Sequence, residues 1–109
     1  MVTGMVRLNS DTMGYEARDD SGPARPGVLV FHEIVGVVDY LKDVTRNLAE
    51  HGYLGLAVDL YEGKTAKGFE DGRLLRDKVT EEVFKTKTEA ALRYLKSSPY
   101  CSGRLGVVG

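Results

Sequence analysis

The stretch that decides the fold is GVLVFHEIVG, residues 27–36. Its first part, residues 27–32, is almost continuously apolar and does not alternate, which is typical of a strand buried on both faces. Similar segments recur as YLGLAV at residues 53–58 and RLGVVG at residues 104–109. We therefore predict three buried strands that lie parallel in one sheet.

Helical patterns separate these three strands. Residues 39–51 repeat apolar side chains at helical spacing, with Asp39 as the expected N-cap and Gly52 as the left-handed residue that ends the helix. After a polar loop at residues 62–72, residues 73–97 predict one long helix. Strands that alternate with helices predict an α/β fold with two crossover helices.

The segments before the first buried strand predict a small antiparallel hairpin. Residues 5–10 and 14–18 alternate apolar and polar side chains around a turn, and residues 19–26 form a loop that contains two prolines. A strand–helix–strand unit takes roughly 30 residues. We therefore expect one incomplete domain over residues 1–109, whose C-terminal half is missing.

Composition excludes several classes of function. The chain is 42% hydrophobic with a formal net charge of -1 and no basic stripe, so we expect no binding to nucleic acid. No apolar run approaches the ~20 residues of a membrane span, and no secretion signal is evident at the N-terminus. The single Cys101 cannot form an intrachain disulfide. We expect a cytoplasmic protein without membrane contact, and the sequence leaves its oligomeric state open.

Candidate site residues follow the predicted strands. In open α/β sheets, ligands bind beyond the carboxyl ends of the strands. The residues there are HEIVG at 32–36, DLY at 59–61 and Gly109.

In their order and spacing, these segments resemble the dienelactone hydrolase family, the carboxymethylenebutenolidase-like branch of the α/β hydrolases. The matching stretches are GVLVFHEIVG at 27–36, NLAEHGY at 47–53, DLY at 59–61 and GRLGVVG at 103–109. The resemblance covers about residues 27–109. It implies a partial α/β-hydrolase fold and an enzyme that hydrolyses a small-molecule carboxylic ester or lactone through a Cys or Ser, His and Asp triad.

The resemblance also implies roles for individual residues. Gly109 corresponds to the first glycine of the family's Gly-x-Cys-x-Gly or Gly-x-Ser-x-Gly motif, so the triad would lie beyond residue 109 and this chain alone should be inactive. Glu33 corresponds to the family carboxylate linked to activation of the nucleophile. Ile34 corresponds to the residue whose backbone N–H forms half of the oxyanion hole. The family places an arginine near the substrate carboxylate, but the sequence does not assign that role to Arg73 or Arg76.

Two alternatives stay open. The chain could be a non-catalytic remnant or interaction module that completes its half-sheet against a partner. It could also be a small nucleotide-binding α/β protein, because GKT stands at residues 63–65 after a strand. The phosphate-loop motif, however, needs a glycine where Val58 stands. In isolation, an unpaired apolar edge on the third strand should favour aggregation.

Several conspicuous residues have plainer explanations. His32-Glu33 begins a zinc-type HExxH motif, but Gly36 occupies the second ligand position, so we predict neither a metal nor any other cofactor. We expect His32 to pack and to donate one hydrogen bond. Asp59 should cap the turn that follows it, and Cys101 should lie at the end of the sheet opposite the site.

Overall fold

One mixed sheet of five strands, accompanied by three helices, forms the protein in a computed structural model that describes all of residues 1–109. The strand order is β1-β2-β4-β3-β5. In chain order, the elements are β1 (Val2–Asn9), β2 (Thr12–Arg18), β3 (Arg25–Phe31), α1 (Asp39–Glu50), β4 (Leu54–Val58), α2 (Phe69–Asp77), α3 (Glu81–Ser97) and β5 (Cys101–Val108).

The first two predicted core strands are buried on both faces. Val28 and Val30 of β3 face one apolar cluster, which α1 covers. Leu29, between them, faces a second cluster, which α3 covers with Ala91 and Leu95. Successive side chains of a strand point to opposite faces, so a strand with helices on both sides must be apolar at every position. This explains the unbroken apolar run in GVLVF.

The predicted hairpin is confirmed and extends further than expected. β1 pairs antiparallel with β2 from Val2 opposite Arg18 to Asn9 opposite Thr12. The other edge of β2 pairs antiparallel with β4, which joins the hairpin to the parallel strands β4, β3 and β5. Cross-strand pairing of distant segments leaves no local signal, so the sequence did not predict this junction.

The third predicted core strand, β5, is parallel to β3 but is not buried. Val107 is 60% exposed and Val108 is 43% exposed. β5 pairs with β3 along one edge, and its other edge has no neighbouring strand. Of its side chains, Cys101 and Leu105 pack against the apolar cluster that α3 covers. An apolar run shows that a strand can be buried, whereas burial itself needs neighbours on both faces.

The prediction of one helix over residues 73–97 is wrong. The chain forms α2, then breaks at residues 78–80, and begins α3 at Glu81. The Thr80 hydroxyl accepts a hydrogen bond from the Val83 N–H at 3.2 Å, so Thr80 caps a new helix. The predicted polar loop also ends early, because α2 begins at Phe69.

The ends of α1 agree only in part with the prediction. Val38 is the N-cap and provides no side-chain hydrogen bond, so Asp39 is the first helical residue and not the cap. Gly52 has φ +92 and ends the helix in the left-handed region, as expected. No helix of the structure is both long and apolar enough to cross a bilayer.

Candidate active site

A cleft of about 510 Å³ opens at the carboxyl ends of β3 and β4. This volume is in the range of pockets that take small molecules. Its walls come from the loops after these strands and from the junction of α2 and α3. The lining residues are His32, Glu33, Ile34, Leu60, Tyr61, Arg76, Val79, Thr80, Glu81 and Phe84.

Both predicted site residues lie in this cleft. The Glu33 side chain is exposed, and its carboxylate makes no ion pair or hydrogen bond within the chain. Ile34 is half-buried, and its backbone N–H donates to no acceptor in the chain. The Ile34 carbonyl accepts a hydrogen bond from the Tyr61 hydroxyl at 2.9 Å. An unpaired carboxylate and an unpaired backbone donor are thus adjacent in the cleft wall.

His32 packs and donates one hydrogen bond, as expected. Its ring lies 4.6 Å from the Tyr61 ring, centroid to centroid, and Nδ1 is 2.8 Å from the Glu33 carbonyl oxygen. The ring also accepts a hydrogen bond, which the sequence did not predict: the Leu60 N–H donates to Nε2 at 3.0 Å.

Asp59 caps the turn after β4, as predicted. Its side chain is buried and accepts hydrogen bonds from the Tyr61 N–H at 2.9 Å and the Gly63 N–H at 2.8 Å. The GKT segment at residues 63–65 therefore belongs to this turn, and the next helix begins only at Phe69. A phosphate loop needs its helix directly after the motif, so the structure does not favour nucleotide binding here.

Tyr61 is held in its neutral form. Burial raises the pKa of the Tyr61 phenol above its usual range, and the nearby Arg76 guanidinium offsets part of that rise. A neutral phenol keeps its proton and can donate to the Ile34 carbonyl. Tyr61 therefore contributes a fixed wall to the cleft.

The structure distinguishes between Arg73 and Arg76, which the sequence could not do. Arg76 lines the cleft and forms no ion pair, whereas Arg73 pairs with Glu70 at 3.4 Å on the exposed side of α2. Helical spacing could have shown that positions 73 and 76 are neighbours on the surface of one helix. Only the placement of α2 decides which of them reaches the cleft.

Gly72 is a further residue that the sequence analysis missed. It is buried in the middle of α2, and a Cβ built on it would lie 2.6 Å from the Ile34 carbonyl oxygen. The absence of a side chain lets α2 approach the Ile34 backbone directly. A glycine inside a helix, where it costs roughly 1 kcal/mol, was the available signal.

Cys101 and Gly109 mark opposite ends of the edge strand. Cys101 begins β5, at the end away from the cleft, as expected. Gly109 follows β5, and a Cβ built on it would lie 3.4 Å from the Phe31 Cβ atom. The last glycine is therefore next to the end of β3, directly before His32.

Comparison with known proteins identifies one family. Residues 13–109 match the profile of the Dienelactone hydrolase family. A "Putative carboxymethylenebutenolidase" of Synechocystis sp. is 32% identical over 99 residues, which cover 84% of this chain and 40% of that protein.

Solved structures show the same partial coverage. The structure named m3DLH superposes with a TM-score of 0.82 at 27% identity and covers 99% of this chain and 48% of its own. A putative dienelactone hydrolase from Klebsiella pneumoniae gives 0.84 at 24% identity, with 97% and 48% covered. The fold is thus part of the α/β-hydrolase fold of these proteins, and the chain spans about half of their length or less.

Proposed function

The chain belongs to the dienelactone hydrolase family, and from that premise we propose that it is the N-terminal part of an enzyme that hydrolyses a carboxylic ester or lactone. The nucleophile, Cys or Ser, and its His and Asp partners lie beyond residue 109 in this proposal. Residues 1–109 supply the cleft wall and part of the oxyanion hole, and they are inactive by themselves.

One juxtaposition carries the proposal. β3 and β5 are parallel neighbours, with Val30 opposite Val108, and Gly109 is next to Phe31. A residue that follows Gly109 would therefore leave the sheet beside His32 and the cleft. A nucleophile two places after Gly109 would be near Ile34, where an oxyanion donor is useful.

The chemistry assigned to Ile34 is electrostatic. When a nucleophile attacks an ester carbonyl carbon, the carbonyl oxygen gains negative charge. The unpaired Ile34 N–H is available to donate to that oxyanion, and one such preorganised donor is worth about 100- to 1,000-fold in turnover. Glu33, whose carboxylate is unpaired, is assigned the activation of the nucleophile.

Arg76 extends the proposal to a substrate class. It is a guanidinium in the cleft lining without a carboxylate partner in the chain. A planar guanidinium binds carboxylates through paired hydrogen bonds. We assign Arg76 to a carboxylate on the substrate, in agreement with the name carboxymethylenebutenolidase that relatives carry.

The first test is the gene itself. The codons after Gly109 should encode x-Cys-x-Gly or x-Ser-x-Gly, and the complete reading frame should produce an enzyme that hydrolyses p-nitrophenyl acetate and a dienelactone. The 109-residue chain, assayed in parallel, should hydrolyse neither. A continuation without a nucleophile, or full activity in residues 1–109, would refute the proposal.

Arg76 and Arg73 provide a matched pair for the substrate class. In the complete enzyme, Arg76→Leu should raise KM for an anionic lactone by about 10-fold or more, because a charge-assisted hydrogen bond is lost. KM for a neutral ester should not change. Arg73→Leu, which removes the same charge outside the cleft, should change neither. Equal effects of both variants would contradict the assignment.

The cytoplasmic location stays a prediction.

A further inference from the structure

The peptide between Glu33 and Ile34 is held at its carbonyl. The Glu33 backbone carbonyl oxygen accepts hydrogen bonds from Nδ1 of His32 at 2.8 Å and from the Gly36 N–H at 3.0 Å. No peptide bond of the chain is cis, and the C=O and N–H of a trans peptide point in opposite directions. The two donors therefore set the direction of the Ile34 N–H.

The tautomer of His32 follows from its second contact. Nε2 lies 3.0 Å from the Leu60 backbone nitrogen. A backbone N–H can only donate, so Nε2 must be the unprotonated, accepting nitrogen. In the neutral ring the proton is then on Nδ1, where it can be donated to the Glu33 carbonyl. A single side chain thus connects a donor of one loop to an acceptor of another.

The Leu60 N–H is itself held in place. It lies between Asp59 and Tyr61, in the turn that the buried Asp59 carboxylate closes through the N–H groups of Tyr61 and Gly63. The Tyr61 hydroxyl reaches the same loop as His32, through the Ile34 carbonyl. The turn after β4 therefore holds two consecutive peptides of the loop after β3: Glu33–Ile34 through His32, and Ile34–Val35 through Tyr61.

We propose that His32 is a positioning residue: as the Nδ1–H tautomer it transmits the position of the β4 turn to the Glu33–Ile34 peptide and so orients the Ile34 N–H. This inference rests on the proposed function for the meaning of that orientation. The hydrogen-bond chain from Leu60 through His32 to Glu33 is independent of it.

The tautomer can be tested directly in the native protein. Two-bond ¹H–¹⁵N correlation spectra distinguish a protonated from an unprotonated ring nitrogen. His32 should be protonated at Nδ1 and unprotonated at Nε2. A ring protonated at Nε2 would overturn the inference whatever the enzyme does.

Substitutions test the consequence in the complete enzyme. His32→Phe keeps an aromatic ring beside Tyr61 and removes both hydrogen bonds. We expect kcat to fall roughly 10- to 100-fold with little change in KM, since the oxyanion donor is displaced while the binding walls remain. His32→Gln, whose amide can donate and accept at once, should recover part of that loss.

His51 provides the control. It is the other histidine of the chain, it is exposed at the end of α1, and His51→Phe should leave kcat unchanged. A His32→Phe enzyme as active as the native one, or a Gln variant no better than Phe, would overturn the positioning role. A native enzyme that hydrolyses no ester would instead overturn the proposed function.

Discussion

A methyl group at position 72 should displace the backbone of Ile34 from outside the cleft. Gly72 is in the middle of α2, and the Cβ of an alanine there would lie 2.6 Å from the Ile34 carbonyl oxygen. Ordinary contact begins at 3.4 Å, so α2 and Ile34 must separate by about 0.8 Å. Gly72→Ala therefore moves the Ile34 carbonyl, and with it the adjoining backbone, without removing any functional group.

The expected magnitudes come from two opposing effects. Replacing a glycine inside a helix by alanine normally stabilises a protein by about 1 kcal/mol. Overpacking costs about 1–3 kcal/mol, so we expect a net loss of roughly 1 kcal/mol in the free energy of unfolding. In the complete enzyme, a displacement close to 1 Å should lower kcat by up to about 100-fold.

Urea denaturation measures the stability, and the ¹H–¹⁵N resonance of Ile34 reports the displacement. Gly68→Ala is the control: it makes the same chemical change at the N-cap of α2, where nothing lies within 4 Å of the new Cβ. It should leave the Ile34 resonance in place. A Gly72→Ala protein that is about 1 kcal/mol more stable, with Ile34 unshifted, would refute the close approach of α2.

Three further changes test other contacts. Tyr61→Phe removes the donor to the Ile34 carbonyl and should lower the free energy of unfolding by about 1 kcal/mol in urea denaturation, so an unchanged value would contradict that hydrogen bond. Lys87→Met removes a buried ammonium that donates to two groups of the β1–β2 turn and should cost about 1–3 kcal/mol, whereas the exposed Lys85→Met should cost less than about 0.5 kcal/mol. Burial and the neighbouring Glu16 carboxylate raise the pKa of Tyr94 to about 12, so the folded state retains a proton that the unfolded state loses near pH 10. Stability should therefore fall between about pH 10 and pH 12, and Tyr94→Phe should reduce that fall in denaturation curves measured at both pH values.

Sequence patterns predicted the strands that are buried on both faces and the hairpin that forms between neighbouring segments. The unbroken apolar runs of β3 and β4 correspond to burial on both faces, and the hairpin follows from alternation around a turn. Such patterns do not state how many neighbours a strand finds. This is why β5 has the sequence of a core strand and the exposure of an edge strand.

Helix boundaries were less predictable because competing local signals are close in energy. The pattern over residues 73–97 is compatible with one helix, but the Thr80 hydroxyl caps a second one, and a cap is worth only about 1 kcal/mol. The break matters for the site, because Val79 and Thr80 line the cleft at this junction.

Of the candidate site, the sequence placed residues 32–36 after a buried strand, and the family resemblance singled out Glu33 and Ile34, which line the cleft. The choice of Arg76 over Arg73, the contact of Gly72 with Ile34, and the bond from Leu60 to His32 depend on how separate segments approach one another. Apolar periodicity encodes which residues a strand or helix buries. Distances between loops are set only when those elements pack, so the tertiary structure alone decided how the Glu33–Ile34 peptide is held.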